Sequence, residues 1–139
     1  MRSEIILKPR WTGRWPGLAT LVEPSIGSTA GSPDASLVAE GFPIGWLEFK
    51  STDRFNMVHL RPAQRSWMRD FLRFSDRAAL CAMNDDGWWL LPLRPLVRGN
   101  YQRNYDVLKL AAGPLVKWED TVGADLPSSL ERVYALNNR

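Results

Sequence analysis

Two carboxylates and a lysine stand close together between residues 34 and 50. Asp34 follows Pro33, and after thirteen intervening residues Glu48-Phe49-Lys50 sets a second carboxylate two positions from an ammonium. Such a carboxylate pair suits a hard divalent cation. Magnesium takes oxygen ligands and usually completes its shell with water and substrate phosphate. Hydrolysing a phosphodiester calls for a cation of this kind, to grip a nonbridging oxygen and to generate hydroxide near neutral pH. The peptide carbonyl of Phe49 offers a third oxygen. Lys50, beside it, could orient the attacking water or offset charge developing on the phosphorane.

These groups need elements to hold them. Residues 18–23, "LATLVE", read as a strand of apolar and β-branched residues, followed by the turn-rich connector "PSIGSTAGSP". "DASLVAE" (34–40) and "IGWLEFK" (44–50) read as two further strands joined by the turn "GFP". Strand alternation places Asp34, Ser36, Val38 and Glu40 on one face of the first. It places Trp46, Glu48 and Lys50 on one face of the second, with Leu47 and Phe49 on the other. Glu48 and Lys50 therefore project to the same side, roughly 7 Å apart. Polar residues on a face of core type are expected where function overrides packing.

A helix follows over "LRPAQRSWMRDFLRF" (60–74), with a proline in the first turn, where its missing N–H costs nothing. The spacing of Ala63, Trp67, Phe71 and Phe74 predicts its buried stripe, and Arg61, Arg65 and Arg69 lie one turn apart on another face. "AALCAMN" and "GWWLLPL" read as two more strands around the turn "DDG". The order β-β-β-α-β-β predicts an α/β domain with a mixed central sheet and a helix crossing one face. Residues 1–17, broken by Pro9 and "TGRWPG", form an arm or short helix; 18–92 form the core; 93–139 extend it. Within that extension, "RGNYQRNY" mixes tyrosine and arginine in a way suited to stacking on unpaired bases. "PSSLERVYALN" predicts a terminal helix that docks Leu130, Val133, Tyr134 and Leu136 on the body or on a partner.

Composition bounds the possibilities. A chain of 139 residues with 45% hydrophobic and 24% charged residues is one globular domain, not a disordered one. Its apolar runs are too short to cross a bilayer, and "MRSEIILKPRW" lacks a signal-type apolar block, so a cytoplasmic protein is expected. The single Cys81 has no internal disulfide partner and, within "AALCAM", reads as a buried reduced thiol. One histidine and one cysteine leave no structural zinc site. Charge is unevenly placed. Residues 51–103 hold nine arginines and five acids, a local net of +4, whereas residues 31–50 hold three acids and one lysine, a net of −2. An acidic island in a basic surround suits a metal-assisted nuclease, the acids taking the cation and Arg54, Arg61, Arg65 and Arg69 a phosphate backbone. A solvated surface of uneven charge gives the same numbers.

Pro33-Asp34 with Glu48-Phe49-Lys50 resembles the signature of the PD-(D/E)xK nuclease superfamily. "LVEPSIGSTAGSPD" resembles the strand and Gly-rich turn ahead of that motif in small phage nucleases of the VRR-NUC group, whose metal site often gains an acid before the turn; Glu23 stands there. "HLRPAQRSWMRDF" is similar to the family helix in which a glutamine and a following aromatic line the active site, matched by Gln64 and Trp67. The resemblance covers residues 18 to about 92. It implies a restriction-endonuclease-like core with Mg²⁺ or Mn²⁺ held by Asp34, Glu48, the Phe49 carbonyl and Glu23. It further implies that Lys50 acts on the water and that Gln64 positions it or the phosphate. The implied substrate is branched DNA, such as a Holliday junction or flap, cut by a homodimer in phage replication, recombination or repair. Two departures stand out. The group usually begins with a glutamate-bearing helix, where this chain is proline-broken and Glu4 matches less well than Glu23; residues beyond 93 have no counterpart.

Plainer readings compete at each position. Asp34 also reads as a turn-capping acid, Glu48 and Lys50 as a surface pair of little energy, and Glu23 and Gln64 as simply exposed. Asp85-Asp86-Gly87 reads as a hairpin turn and His59 as a loop residue before the helix. For the whole chain, the rivals are a catalytically inactive nuclease-fold binding module and a hydrolase of RNA or small molecules.

Overall fold

A computed structural model describes residues 9, 11–22, 31–53, 57–84, 87–97, 104–106, 116–117 and 126–138. Its centre is a six-stranded sheet in the order β1-β2-β3-β5-β6-β8. The strands are β1 (Leu18–Leu21), β2 (Ala35–Ala39), β3 (Phe42–Ser51), β5 (Ala78–Asn84), β6 (Gly87–Pro92) and β8 (Val116–Lys117). All neighbours run antiparallel except β3 and β5, which are parallel from Trp46↔Ala78 to Ser51↔Met83. A parallel pair needs a crossover, and helix α1 (Pro62–Phe71) supplies it. The mixed sheet with its crossover helix is thus the architecture expected from the sequence. The β2–β3 turn is tighter than expected. Gly41, at φ +69°, takes the left-handed conformation the reversal needs, so β3 begins at Phe42.

Alternation along the central strands divides the sheet into two buried faces. Ala35, Leu37, Leu47, Phe49, Ala79, Cys81, Met83 and Leu90 pack on one side with Trp11, Trp15 and the terminal helix α3 (Leu126–Ala135). The terminal helix docks on the body through Leu126, Leu130, Val133 and Tyr134, while Leu136, in the short 3₁₀ turn beyond, is only half-buried. Tyr134 reaches under the strand to donate to the Trp46 carbonyl at 3.1 Å, and its ring lies where a side chain on Gly45 would have to go. Buried Asn137 ties the helix end to the sheet. Its oxygen accepts from Leu93 and Arg94 N–H groups, and its amide donates to the Asp76 and Ala78 carbonyls.

On the other side Ala78, Leu80, Ala82, Trp89 and Leu91 pack with Met68 of α1, Leu72 at its C-cap, and Leu96 and Val97 of the short α2 (Arg94–Val97). The buried stripe of α1 differs from the one its apolar residues predict. Leu60, Gln64, Met68 and Leu72 face inward, Trp67 and Phe71 are half-buried, and Ala63 and Phe74 are exposed, Phe74 at 84%. The helix is turned so that a glutamine enters the interior, for reasons that lie in the site. Its C-terminal aromatics still meet the sheet: Trp67 stacks on Phe71 and meets Trp46 edge to face. A further strand, β4 (Met57–His59), precedes α1 and pairs with β7 (Asn104–Asp106) in a separate ribbon. His59 therefore ends a strand instead of lying in a loop.

Candidate active site

The site is assembled where β2, β3 and the first turn of α1 meet. Ala35 pairs with Leu47 and Ser36 with Trp46, so one further step along this antiparallel register sets Asp34 opposite Glu48. A hydrogen bond fixes the arrangement: the Phe49 N–H donates to Asp34 Oδ2 at 2.9 Å. The carboxylate of Asp34 is thereby held against the backbone that links Glu48 to Phe49.

Glu48 is only 2% exposed. A carboxylate inside a protein needs hydrogen-bond partners to offset its lost hydration. Gln64, itself buried, donates from Nε2 to Glu48 Oε2 at 3.2 Å. The other end of the same amide accepts the Arg61 N–H at 3.0 Å. That second bond satisfies one of the donors orphaned at a helix start, as the third residue of a capping box does. The reciprocal bond is missing because arginine offers no acceptor. One glutamine therefore caps α1 and touches the acid on β3, which explains why a polar residue occupies the helix's inward stripe.

Gly31, two residues before Pro33, lies against the same helix start. Gly31 sits at φ +84°, and a Cβ there would lie 2.2 Å from the Ala63 carbonyl oxygen. Only glycine allows the turn to pass this close. Upstream, the Val22 N–H donates to the Asp34 carbonyl at 2.7 Å, so β1 delivers the chain to Asp34 one residue before Glu23. Glu23 itself lies outside the described residues, as do Arg54, Asp85 and Asp86.

Lys50 is half-buried, two residues beyond Glu48 on the same side of β3 and beside Ala82 of β5. Asp34, Glu48, Lys50 and Gln64 are thus positioned by three adjoining segments, with the Phe49 carbonyl in the strand between Glu48 and Lys50. Arg61 and Arg69 are exposed. Arg65 is half-buried, and its Nε is buried with no hydrogen-bond acceptor among the described residues. Of the basic segment "RGNYQRNY", only Asn104 and Tyr105 fall within the described residues, and they belong to β7.

The donor set is two carboxylates and a peptide carbonyl, all hard oxygens, which fits Mg²⁺ or Mn²⁺ with water and phosphate completing the shell. Among the described residues no group of three His, Cys, Asp or Glu side chains gathers. Cys81 offers no competing nucleophile. Burial pushes its thiol far above the ordinary range, on the face away from Glu48.

One pair escaped the sequence reading. His59 Nε2 lies 2.7 Å from Asp53 Oδ2, between the end of β3 and the start of α1. The signal was there, an acid and the only histidine flanking the same connection, but the residues between them gave no periodicity to bring them together.

Neither a protein-family model nor a curated protein sequence matches the chain. A solved structure does. Hjc from Archaeoglobus fulgidus, a Holliday junction resolvase from an archaeal hyperthermophile, superposes with a TM-score of 0.54 and 17% identity over 78% of this chain and 88% of that one. The chain shares that fold. The match spans most of both proteins. Among the described residues no helix is long and apolar enough to cross a membrane.

Proposed function

We propose that the protein is a Mg²⁺- or Mn²⁺-dependent DNA endonuclease of the PD-(D/E)xK type, selective for branched DNA and acting as a homodimer. The observation that carries this reading is the placement of Asp34 opposite Glu48, with Phe49 N–H bound to Asp34 and Gln64 bound to Glu48. The shared fold with a Holliday junction resolvase supports it.

Asp34, Glu48 and the Phe49 carbonyl would hold the cation, with Glu23 as a further ligand. When bound, the cation supplies Lewis-acid charge at the scissile phosphate and acidifies water. Lys50 holds the attacking water by hydrogen bond and offsets negative charge that builds on the phosphorane oxygens. Gln64 keeps Glu48 in one rotamer, and its tie to the α1 cap keeps that distance constant. Arg54, Arg61, Arg65 and Arg69 contact backbone phosphates, which orient the strand without reading its bases. Two sites related by a twofold axis would cut opposed strands of a junction, which is why a dimer belongs to the proposal. The setting implied is phage DNA replication, recombination or repair.

The test is cleavage of labelled four-way junction, flap, duplex and single-stranded DNA, and a matched RNA, each with Mg²⁺, Mn²⁺ or EDTA. Metal-dependent cutting of branched DNA, absent from EDTA and with Lys50→Ala, is the expected result. DNA binding without cutting in either metal would instead identify an inactive binding module, and preferential cutting of the RNA would change the substrate class.

A further inference from the structure

The connection between β3 and α1 carries a second polar arrangement that the reaction above does not use. Asp53 lies three residues beyond Lys50, and His59 lies five before Gln64. Their hydrogen bond, 2.7 Å between His59 Nε2 and Asp53 Oδ2, closes this connection across its base. One foot of the bridge lies just past the end of β3, and the other ends β4, two residues before the N-cap of α1.

The histidine is also rigidly mounted. Its neighbours Val58 and Leu60 are buried, at 0% and 5% exposure, and its backbone pairs with Asn104 in the β4–β7 ribbon. With both neighbours directed inward, the imidazole is turned outward, and its side chain is 57% exposed. A solvent-facing side chain normally gains little from an ion pair, because water screens it. Here the bond instead fixes which ring nitrogen is spent. Nε2 is engaged by the Asp53 carboxylate, which leaves Nδ1 as the ring nitrogen with no partner among the described residues, and in an imidazolium that nitrogen is a charged donor. Two residues further on, Arg61 begins a helix whose exposed and half-exposed arginines are Arg61, Arg65 and Arg69.

We propose that His59, oriented by Asp53, is a phosphate-contacting residue that seats the DNA backbone on the β3–α1 connection. The assignment rests on the nuclease reading and adds to it a specific contact outside the metal ligands and the helix arginines. Asp53 is a positioning residue: it touches the ring, and the ring touches the substrate.

The experiment is junction binding in EDTA at about pH 6, as a function of salt, with the full-length wild type, His59→Gln, His59→Arg and Asp53→Asn. Each phosphate contact made by a cation contributes about 0.9 to the slope of log affinity against log salt. His59→Gln is expected to weaken binding several-fold and to lower that slope by about 0.9, while His59→Arg restores both. In metal-supported cleavage, His59→Gln and Asp53→Asn raise KM and leave kcat within about twofold, the pattern of lost binding shared by ground and transition states. An effect on folding alone would not be rescued by arginine and would leave the salt slope unchanged. If the wild type binds and cuts but His59→Gln keeps wild-type affinity and slope, the contact is refuted and the nuclease reading stands. If the wild type neither binds nor cuts DNA, the nuclease reading falls, and this contact with it.

Discussion

The two faces of β3 make the most instructive comparison in the molecule. Leu47 and Phe49 point to one side and are completely buried among Ala35, Leu37, Cys81 and the terminal helix. Glu48, between them, points to the other side and is almost as buried, yet it meets a glutamine instead of a methyl group. Burial alone therefore does not distinguish core from site. The partner does: one face is closed by apolar contacts from α3, and the other by a hydrogen-bonded amide that also caps α1. An alternating strand can anchor the fold and hold the acid of the proposed chemistry within three consecutive residues.

This contrast can be broken by substitutions on either side of the strand. The largest effect is expected on the polar face, where Lys50→Ala should lower cleavage by about a hundredfold to a thousandfold, as the loss of a charge-stabilising group does. Its thermal unfolding should match the wild type to within about 1 kcal/mol. On the apolar face, Leu47→Ala should cost about 2–5 kcal/mol through lost transfer energy and the cavity left behind. Denaturant unfolding would measure this, and the folded fraction should cut DNA at the wild-type rate. If Leu47→Ala abolished cleavage without loss of stability, the division of labour between the faces would be wrong.

Gly31→Ala should disturb both properties. The added methyl has no room beside the Ala63 carbonyl, and φ +84° is strained for alanine, so about 1–3 kcal/mol of stability should be lost. Cleavage should fall with it because the turn that delivers Asp34 must move. Gln64→Ala sharpens the comparison further. Removing a single neutral amide should cost about 1–3 kcal/mol by leaving Glu48 and the Arg61 N–H short of a partner, and metal affinity should drop as Glu48 gains rotamer freedom.

The smallest effect comes from the far face. Burial holds the Tyr134 phenol neutral well above its ordinary value near 10.0, an effect opposed by Arg77 and reinforced by Glu131. The folded pKa is raised, so this stabilisation is fully present below the unfolded value and is lost as pH climbs beyond it. Cys81, raised by burial, acts with the same sign. Denaturation midpoints should therefore fall above about pH 10, and Tyr134→Phe should flatten part of that decline.

Much of this was legible from residue types and spacing, for a definite reason. A period of two assigns faces without knowledge of the partner strands, so Glu48 and Lys50 could be separated from Leu47 and Phe49 directly. The crossover helix was legible as well, since a parallel pair needs one. Its inward face was not. Ranking positions by hydrophobicity selected Ala63 and Phe74 and passed over Gln64, because the polarity of Gln64 is needed by a carboxylate on another element. Asn137 is a parallel case: its four hydrogen bonds go to residues 43 to 61 positions away, which no local pattern reveals. The β4–β7 ribbon, with three residues in each strand, is too short to show any alternation.

The most direct test of the central claim is cleavage of a four-way DNA junction in Mg²⁺ by the wild type and by Glu48→Gln, a change of charge with almost no change of shape. The account predicts that the variant stays folded and still binds the junction, but loses metal-dependent cutting. Cutting by Glu48→Gln at the wild-type rate would contradict it, and would mean that the buried acid on β3 serves the fold alone.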